Sequence, residues 1–194
     1  MKNVSKRPER RNEGISVDVS EREHVTSFAS RLGNLLLTLA VWPGILAHEY
    51  AHYAACRLTG VGVRSPPALQ PFEDSAVLEH ERVDSFGDDL AITLAPFVGN
   101  SVLGFGAFAL ARTATGVAEP VCLWLGVSFA FTALPSVTDT ETLPVTVDSV
   151  SRPLAPLGHA LAHGLRALTR SAWVTGPLTF AWTVVLLSGS AGVV

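Results

Sequence analysis

Residues 32–58, LGNLLLTLAVWPGILAHEYAHYAACRL, combine a long apolar run with the HExxH pattern HEYAH at residues 48–52. As a helix rising 1.5 Å per residue, the run would be about 40 Å long, more than the hydrocarbon core of about 30 Å. We interpret it as a tilted transmembrane helix. Pro43 and Gly44 stand just before the pattern, and proline removes a backbone donor. The pair predicts either a kink that angles HEYAH or an ordinary lipid-adapted bend.

The composition also favours a membrane protein. Of the 194 residues, 48% are hydrophobic and 16% are charged, and the mean hydropathy is +0.35, which is high for a soluble domain. A net charge of −3 gives no reason to expect nucleic acid as a partner. Cys56 and Cys122 lie in apolar runs, so we expect buried thiols without a structural disulfide. Two cysteines are too few for a four-cysteine zinc site, so any metal must be held by histidine and carboxylate.

Three further apolar runs follow, at Leu90–Ala111, Val121–Leu134 and Ala172–Val194. The middle one is shorter than a full span and ends at Pro135, which indicates a partial span buried in protein. The predicted fold is an all-α membrane protein with about four transmembrane or partly spanning helices and a polar N-terminal tail.

The polar segments complete the predicted organisation. Residues 1–31 mix basic and acidic residues without an apolar face and are expected to be a disordered tail, which leaves 32–194 as one membrane-embedded domain. Thr59–Asp89 is an acidic extramembrane loop in which GVGVRSPPAL forms a short strand. The stretch 136–170 is polar and then weakly amphipathic, so its second half could lie in the membrane interface.

HEYAH is the pattern in this sequence that carries chemistry. Positions four apart lie on one face of a helix, so His48 and His52 can reach one metal ion. Glu49 lies on the adjacent face, where it can hold and deprotonate a metal-bound water. Ionisable side chains inside an apolar segment are costly to bury, which favours a functional site over coincidence.

A peptidase site of this type needs a third ligand, and the residues leave several candidates open. Asp139 follows the third apolar run, where a proline-bearing turn could direct its carboxylate back to the first helix. Glu141 and Asp148 lie farther along the same polar stretch. His159 and His163 repeat the spacing of four, but without a glutamate, and in an amphipathic stretch where interfacial histidine is common.

Three segments resemble the site-2 protease family of intramembrane zinc metalloproteases. HEYAHYAACRLTGVGV is similar to the start of the family's core, and LAPFVGN, with Pro96 and Asn100, is similar to its small-Pro-x-x-x-Asn segment. LPSVTD is similar in position to the segment with the third, aspartate ligand, although Thr140 stands where the family usually has glycine. The resemblance covers Leu32–Asp139, and the absence of room for an inserted PDZ or CBS-type domain points to the minimal-core zincin peptidase type.

The resemblance implies a function and its residues. It implies one zinc ion, hydrolysis of peptide bonds within or next to the membrane, a membrane-protein or peptide substrate, and a multi-pass location in the cell membrane. In this chain the implied residues are Glu49 as the catalytic base, His48, His52 and Asp139 as zinc ligands, and Pro96, Asn100 and Pro135 as supporting residues.

Two other functions and two questions of arrangement stay open at this point. A non-catalytic metal-binding scaffold or partner protein is the main alternative, and a metal transporter is the other. The basic residues before the first run favour a cytoplasmic N-terminus, whereas the resemblance places the loop after HEYAH near the cytoplasm. Neither the membrane orientation nor the oligomeric state follows from the sequence.

Overall fold

The computed structural model describes residues 16–67 and 78–192, with side chains from residue 35 onward. It is mostly helical. The chain divides between Thr38 and Leu39 into two units, and every contact described below lies within Leu39–Val194. The elements, in chain order, are α1 (Ser16–Thr59), β1 (Val63–Ser65), β2 (Glu79–His80), α2 (Phe86–Thr113), α3 (Ala118–Phe131), α4 (Leu143–Thr146), a 3-10 turn (Val147–Ser149), α5 (Ala155–Arg170), α6 (Ala172–Gly189) and a last 3-10 turn (Ser190–Gly192).

The predicted short strand is present as β1, which pairs antiparallel with β2. This two-stranded sheet is an addition to the predicted all-α fold. It lies beside the C-terminal end of α1, where the buried side chains of Cys56, Leu78, Val83 and Ile92 form one apolar cluster. The sheet therefore joins the end of the HEYAH helix to the segment that leads into α2.

Two helix starts differ from the sequence interpretation. Helix α1 begins at Ser16, so residues 16–31 of the predicted tail are helical, and residues 1–15 lie outside the described part. Helix α2 begins at Phe86 and not at Leu90, because the Ser85 side chain caps it by accepting a hydrogen bond from the Asp88 backbone N–H. Asp89, predicted to be in the acidic loop, is consequently in the first turn of α2, where the helix dipole favours a carboxylate.

Helices α2, α3 and α6 pack together and form the second apolar cluster, from Phe108, Ala130 and Leu186. Close approach is possible because Gly126 on α3 has no side chain, and a Cβ there would lie 2.5 Å from the Phe108 ring. A third cluster, of Phe86, Leu143, Val147 and Ala162, joins the start of α2 to α4 and α5.

Two of the described helices, Phe86–Thr113 and Ala172–Gly192 with its final turn, are long and apolar enough to cross a membrane. The apolar helix α3 has 14 residues, shorter than a full span, as the sequence indicated. Cys56 is fully buried and Cys122 is half-buried, and both are free thiols.

Candidate metal centre

His48 and His52 lie one turn apart on α1 and are both buried. Their spacing of four residues puts the two rings on one face of the helix. The ring centroids are 4.8 Å apart, and the two Nε2 atoms are 3.1 Å apart. The two imidazoles therefore converge on one point through the same ring nitrogen.

Asp139 reaches that point from the loop after α3. Its Oδ2 is 3.2 Å from His48 Nε2, and its Oδ1 is 3.4 Å from His52 Nε2. The carboxylate is oriented by its own loop, because Oδ2 also accepts a hydrogen bond of 2.6 Å from the Ser136 backbone N–H. The structure thus brings together His48, His52 and Asp139 as a group that could hold a metal ion.

The partners of the outer ring nitrogens determine the tautomers of both histidines. His48 Nδ1 lies 2.7 Å from the carbonyl oxygen of Thr132, and His52 Nδ1 lies 2.8 Å from that of Ile92. A carbonyl oxygen can only accept, so each Nδ1 carries the hydrogen and donates it. In the neutral rings, each Nε2 then has a free lone pair. Two such lone pairs 3.1 Å apart, facing a carboxylate, repel one another unless a cation lies among them.

The separations between the donor groups of the three residues fit a metal ion. Tetrahedral coordination with bonds of about 2.0–2.1 Å places ligand atoms roughly 3.3–3.4 Å apart. Here the two Nε2 atoms are 3.1 Å apart, and the Asp139 carboxylate approaches them at 3.2 Å through Oδ2 and at 3.4 Å through Oδ1. Three protein ligands of this kind leave a fourth position for water or substrate, which is the arrangement of catalytic rather than structural sites.

The carbonyl oxygens that hold the histidines lack their helical hydrogen-bond donors, for a different reason in each case. In an α-helix, the Ile92 carbonyl would accept from the N–H of residue 96, but that residue is Pro96 and has no N–H. The Thr132 carbonyl lies at the end of α3, where residue 135 is also a proline and the Ser136 N–H donates to Asp139. Both carbonyls are therefore free to accept from a histidine. Pro96, a predicted supporting residue, thus leaves the Ile92 carbonyl to His52, whereas support from Pro135 stays a prediction.

The helical hydrogen bonding of α1 is interrupted one turn before His48, around Pro43 and Gly44. Gly44 N–H donates to the Ser128 hydroxyl (2.8 Å), while the Ala40 carbonyl, the usual acceptor of that N–H, accepts from Trp124 Nε1 (2.6 Å). Gly44 is required at this contact, since a Cβ would collide with the Ser128 backbone. The helix around Pro43 thus exchanges some of its own hydrogen bonds for bonds to α3, which fixes where His48 points.

Asn100, also predicted to be supporting, joins α1 and α3 from α2. Its side-chain Nδ2 donates to the carbonyl oxygens of Gly44 (3.0 Å) and Thr132 (3.3 Å) and to the Thr132 hydroxyl (3.0 Å). The residue is fully buried. Since the Thr132 carbonyl also accepts from His48, Asn100 acts on a metal-site histidine through one shared oxygen.

The buried face of α2 holds the Asp139 loop. The Thr93 hydroxyl donates to the Asp139 carbonyl oxygen at 2.8 Å. One turn earlier, both oxygens of the buried Asp89 accept hydrogen bonds, from the hydroxyls of Thr142 (2.8 Å) and Thr146 (2.7 Å). Residues 89, 93, 96 and 100 are spaced by four, three and four, so these side chains lie on one stripe of α2 that faces the site.

The Asp139 carboxylate is strongly stabilised in its ionised form. Burial by itself would raise its pKa. Without a metal ion, however, a proton on Nε2 of His48 or His52 supplies the hydrogen bonds and the positive charge that outweigh burial, so the pKa of Asp139 lies well below its usual range. The carboxylate is therefore ionised throughout the physiological range of pH and ready to bind a cation.

Glu49 lines the same cavity as the three clustered residues, a space of about 260 Å³. It is half-buried, and its Oε2 accepts a hydrogen bond of 3.0 Å from the Leu78 backbone N–H. One carboxylate oxygen is thus held in place. The other has no hydrogen-bond partner among the described residues, so it can accept a proton within the cavity.

The remaining third-ligand candidates lie elsewhere. The side chain of Glu141 is 69% exposed, and its Oε1 lies 3.7 Å from an Arg166 nitrogen. Asp148 is exposed on the 3-10 turn. His159 and His163 are exposed on the surface of α5, with their rings stacked at 6.1 Å. Neither they nor the two acids belong to the metal-site group.

The sequence interpretation missed Asp89, Thr93, Ser128 and Thr132. Asp89 and Thr93 share a detectable signal, because together with Pro96 and Asn100 they form a helical stripe in an otherwise apolar run. An apolar run that begins at Leu90 leaves Asp89 out of this stripe. Ser128 and Thr132 are also four residues apart, but small hydroxyl residues are common in apolar helices and do not point to a site by themselves.

Comparison with known proteins found no matching family model, no matching curated protein and no matching solved structure.

Proposed function

We propose that the protein is a zinc-dependent intramembrane endopeptidase that hydrolyses peptide bonds within or next to the membrane. The observation that carries this proposal is the convergence of His48, His52 and Asp139 beside Glu49 in one cavity. Two imidazoles and one carboxylate are a ligand set used by catalytic zinc, and the preceding glutamate of HExxH is the residue type that activates water there.

The roles of the side chains follow from their chemistry. His48, His52 and Asp139 would hold the metal, which when bound lowers the pKa of a water molecule and polarises the scissile carbonyl group. Glu49 would act as general base through the carboxylate oxygen that Leu78 does not hold, taking a proton from the attacking water and passing it to the leaving amine. The Thr132 and Ile92 carbonyls keep both imidazoles in the tautomer that presents Nε2.

Support for a multi-pass membrane location comes from how little of the apolar helices is buried. In the most apolar windows, 33% of α2 and 17% of α6 are buried, whereas a core helix of a soluble protein is mostly buried. Exposed apolar side chains also cover α3, including Trp124, Val127 and Phe131. A lipid environment accounts for these surfaces, because hydrocarbon solvates them without the cost that water imposes.

The test is proteolysis by the purified full-length protein, supplied with zinc and incubated with a mixture of single-span transmembrane peptides. New peptide termini are read by mass spectrometry. We expect wild type to cleave, and Glu49→Gln to lose at least about 100-fold in rate while it retains one metal per chain, since general-base catalysis contributes roughly 10²–10⁴-fold. Glu119→Gln, an exposed residue at the start of α3, is the matched control and should cleave like wild type.

Equal cleavage by wild type and Glu49→Gln would exclude the proposed base. Metal binding without cleavage in either protein would instead favour the alternative of a non-catalytic metal-binding scaffold.

A further inference from the structure

Helix α5 has an inner face that is occupied by contacts to the metal-site loop. Gly158, Ala162 and Thr169 are buried on this face. The Thr169 hydroxyl lies 2.9 Å from the Thr140 hydroxyl, and Arg166 Nη1 donates to the Thr140 carbonyl oxygen at 3.2 Å. Thr140 directly follows Asp139, so α5 is fixed to the loop that carries the aspartate.

A second face of α5 is apolar and uncovered. Leu154, Leu157 and Leu161 are 57%, 68% and 39% exposed. Their spacing of three and four residues puts them on one side of the helix. Leu168 continues the same stripe and lines an apolar cavity of about 340 Å³ together with Leu178 of α6. The leucine face of α5 (Leu154, Leu157, Leu161 and Leu168) is thus continuous with the apolar surface of α6.

The opposite side of α5 is polar and carries no acid. His159, His163 and Arg170 are exposed there, and Arg166 borders the inner face. At 3.6 residues per turn, this basic stripe lies roughly 180° from the leucine face. A helix with leucines on one side and basic residues on the other is typical of helices that lie in the plane of a membrane surface.

The short connection between α5 and α6 indicates where the membrane surface would lie relative to α5. Only Ser171 separates α5 from α6, one of the two described helices that could cross a membrane. Trp173, in the first turn of α6, is 92% exposed. Exposed tryptophan at the end of a span is characteristic of the boundary between headgroups and hydrocarbon. Helix α5 therefore ends at the level where α6 would enter the bilayer.

We propose that α5 lies in the membrane interface, with its leucine face inserted at the boundary between lipid headgroups and acyl chains and its basic stripe directed to the headgroups and water. The occupant of the leucine face is thus the lipid bilayer. A basic polar face further favours anionic lipids. This inference rests on the membrane-crossing part of the proposed function and is independent of the metal chemistry.

The test measures the depth of three positions in the full-length protein. Single cysteines replace Leu157, His163 or Phe180 in a Cys122→Ser chain, where Cys56 is fully buried and escapes labelling. Each variant is labelled with an environment-sensitive dye and reconstituted in vesicles of phosphatidylcholine with a minor fraction of phosphatidylglycerol. Quenching by spin-labelled lipid and by aqueous iodide is then compared.

We expect lipid-borne quencher to act several-fold more strongly on the dye at Leu157 than on the dye at His163, and iodide to show the reverse order. The dye at Phe180, on the exposed side of α6, should be quenched by lipid alone. Iodide quenching of the Leu157 dye as strong as that of the His163 dye would overturn the interfacial placement. Quenching by neither agent would mean that protein, such as a second copy of the chain, covers the face, and this too would overturn it. Failure of lipid to quench the Phe180 dye would instead overturn the membrane crossing by α6.

Discussion

The two histidines of HEYAH owe their orientation to carbonyl groups that do not take part in helical hydrogen bonding. Ile92 O accepts from His52 because residue 96, which would donate to it in a helix, is a proline. Thr132 O accepts from His48 because α3 ends before it and the Ser136 N–H donates to Asp139 instead. Outer partners of this kind fix the tautomer of a metal-binding histidine, and their loss typically costs about 10–100-fold in metal affinity. At the residue scale the site is therefore defined by backbone acceptors as much as by the three donor side chains.

Asp139→Asn tests the third ligand. The substitution keeps the shape of the side chain but removes the negative charge of the carboxylate, whose pKa is lowered by the neighbouring histidines in spite of its burial. We expect zinc affinity, measured by competition with a chelator, to fall by more than the roughly 10–100-fold typical of an outer partner. Asp148→Asn, at an exposed carboxylate outside the cluster, should bind zinc like wild type. Equal affinities of the two variants would remove Asp139 from the ligand set.

Pro96→Ala separates metal affinity from folding stability. Alanine restores an N–H that competes with His52 for the Ile92 carbonyl, so zinc affinity should fall, by up to about tenfold. Proline in a helix interior costs about 3 kcal/mol relative to alanine, so thermal stability of the metal-free protein should not fall. We therefore expect a lower zinc affinity together with an equal or higher thermal stability. Unchanged zinc affinity would show that the proline does not act through His52.

At the scale of elements, α1 is held by side chains of its neighbours where its own hydrogen bonding is interrupted. Trp124 of α3 donates to the Ala40 carbonyl of α1, and Ser128 of α3 accepts from the Gly44 N–H. Asn100 of α2 donates to the Gly44 carbonyl. These contacts explain how a helix with an internal proline presents His48 in one orientation. Helices α2 and α3 thus form the support on which the HEYAH turn rests.

Gly44→Ala should disturb this support. A Cβ at this position collides with the Ser128 carbonyl and the Thr132 hydroxyl, and backbone atoms cannot move aside cheaply. We expect a loss of at least about 1–3 kcal/mol in the free energy of unfolding, the range typical of overpacking.

Gly106→Ala is the matched control for that loss. It lies within α2, where a Cβ meets nothing within 4 Å, so the change should stabilise the helix by roughly 0.5–1 kcal/mol. The free energy of unfolding of both variants is measured in detergent solution. Equal changes in Gly44→Ala and Gly106→Ala would refute the close approach of α1 and α3 at Gly44.

At the scale of the whole molecule, the sequence could predict the helical architecture and the HEYAH face but not the complete site. His48 and His52 follow from helical spacing alone. Asp139 is 91 residues from His48, and no periodicity connects them. Its position after the proline-bearing turn and the resemblance to site-2 proteases favoured it over four other candidates. The interactions that complete the site use backbone groups and small hydroxyls, such as the Thr132 carbonyl and the Thr93 hydroxyl, which leave no distinct trace in a sequence.

The molecule thus combines a buried polar site with apolar helices that are largely uncovered. The metal-site loop is held between the polar stripe of α2 and the inner face of α5. The exposed leucines of α5 and the apolar surface of α6 lie on the other side of these elements. This arrangement is compatible with the proposed function, because an intramembrane peptidase needs its polar site next to lipid.

The most direct test of the central claim is X-ray absorption at the zinc edge of the purified full-length protein. We predict one zinc per chain, bound by nitrogen and oxygen at about 2.0–2.2 Å, with the multiple scattering of two imidazoles and no sulfur neighbour. His48→Ala and Asp139→Ala should each lose the bound zinc. A sulfur shell at about 2.3 Å, or zinc retained unchanged in both variants, would contradict the metal centre described here.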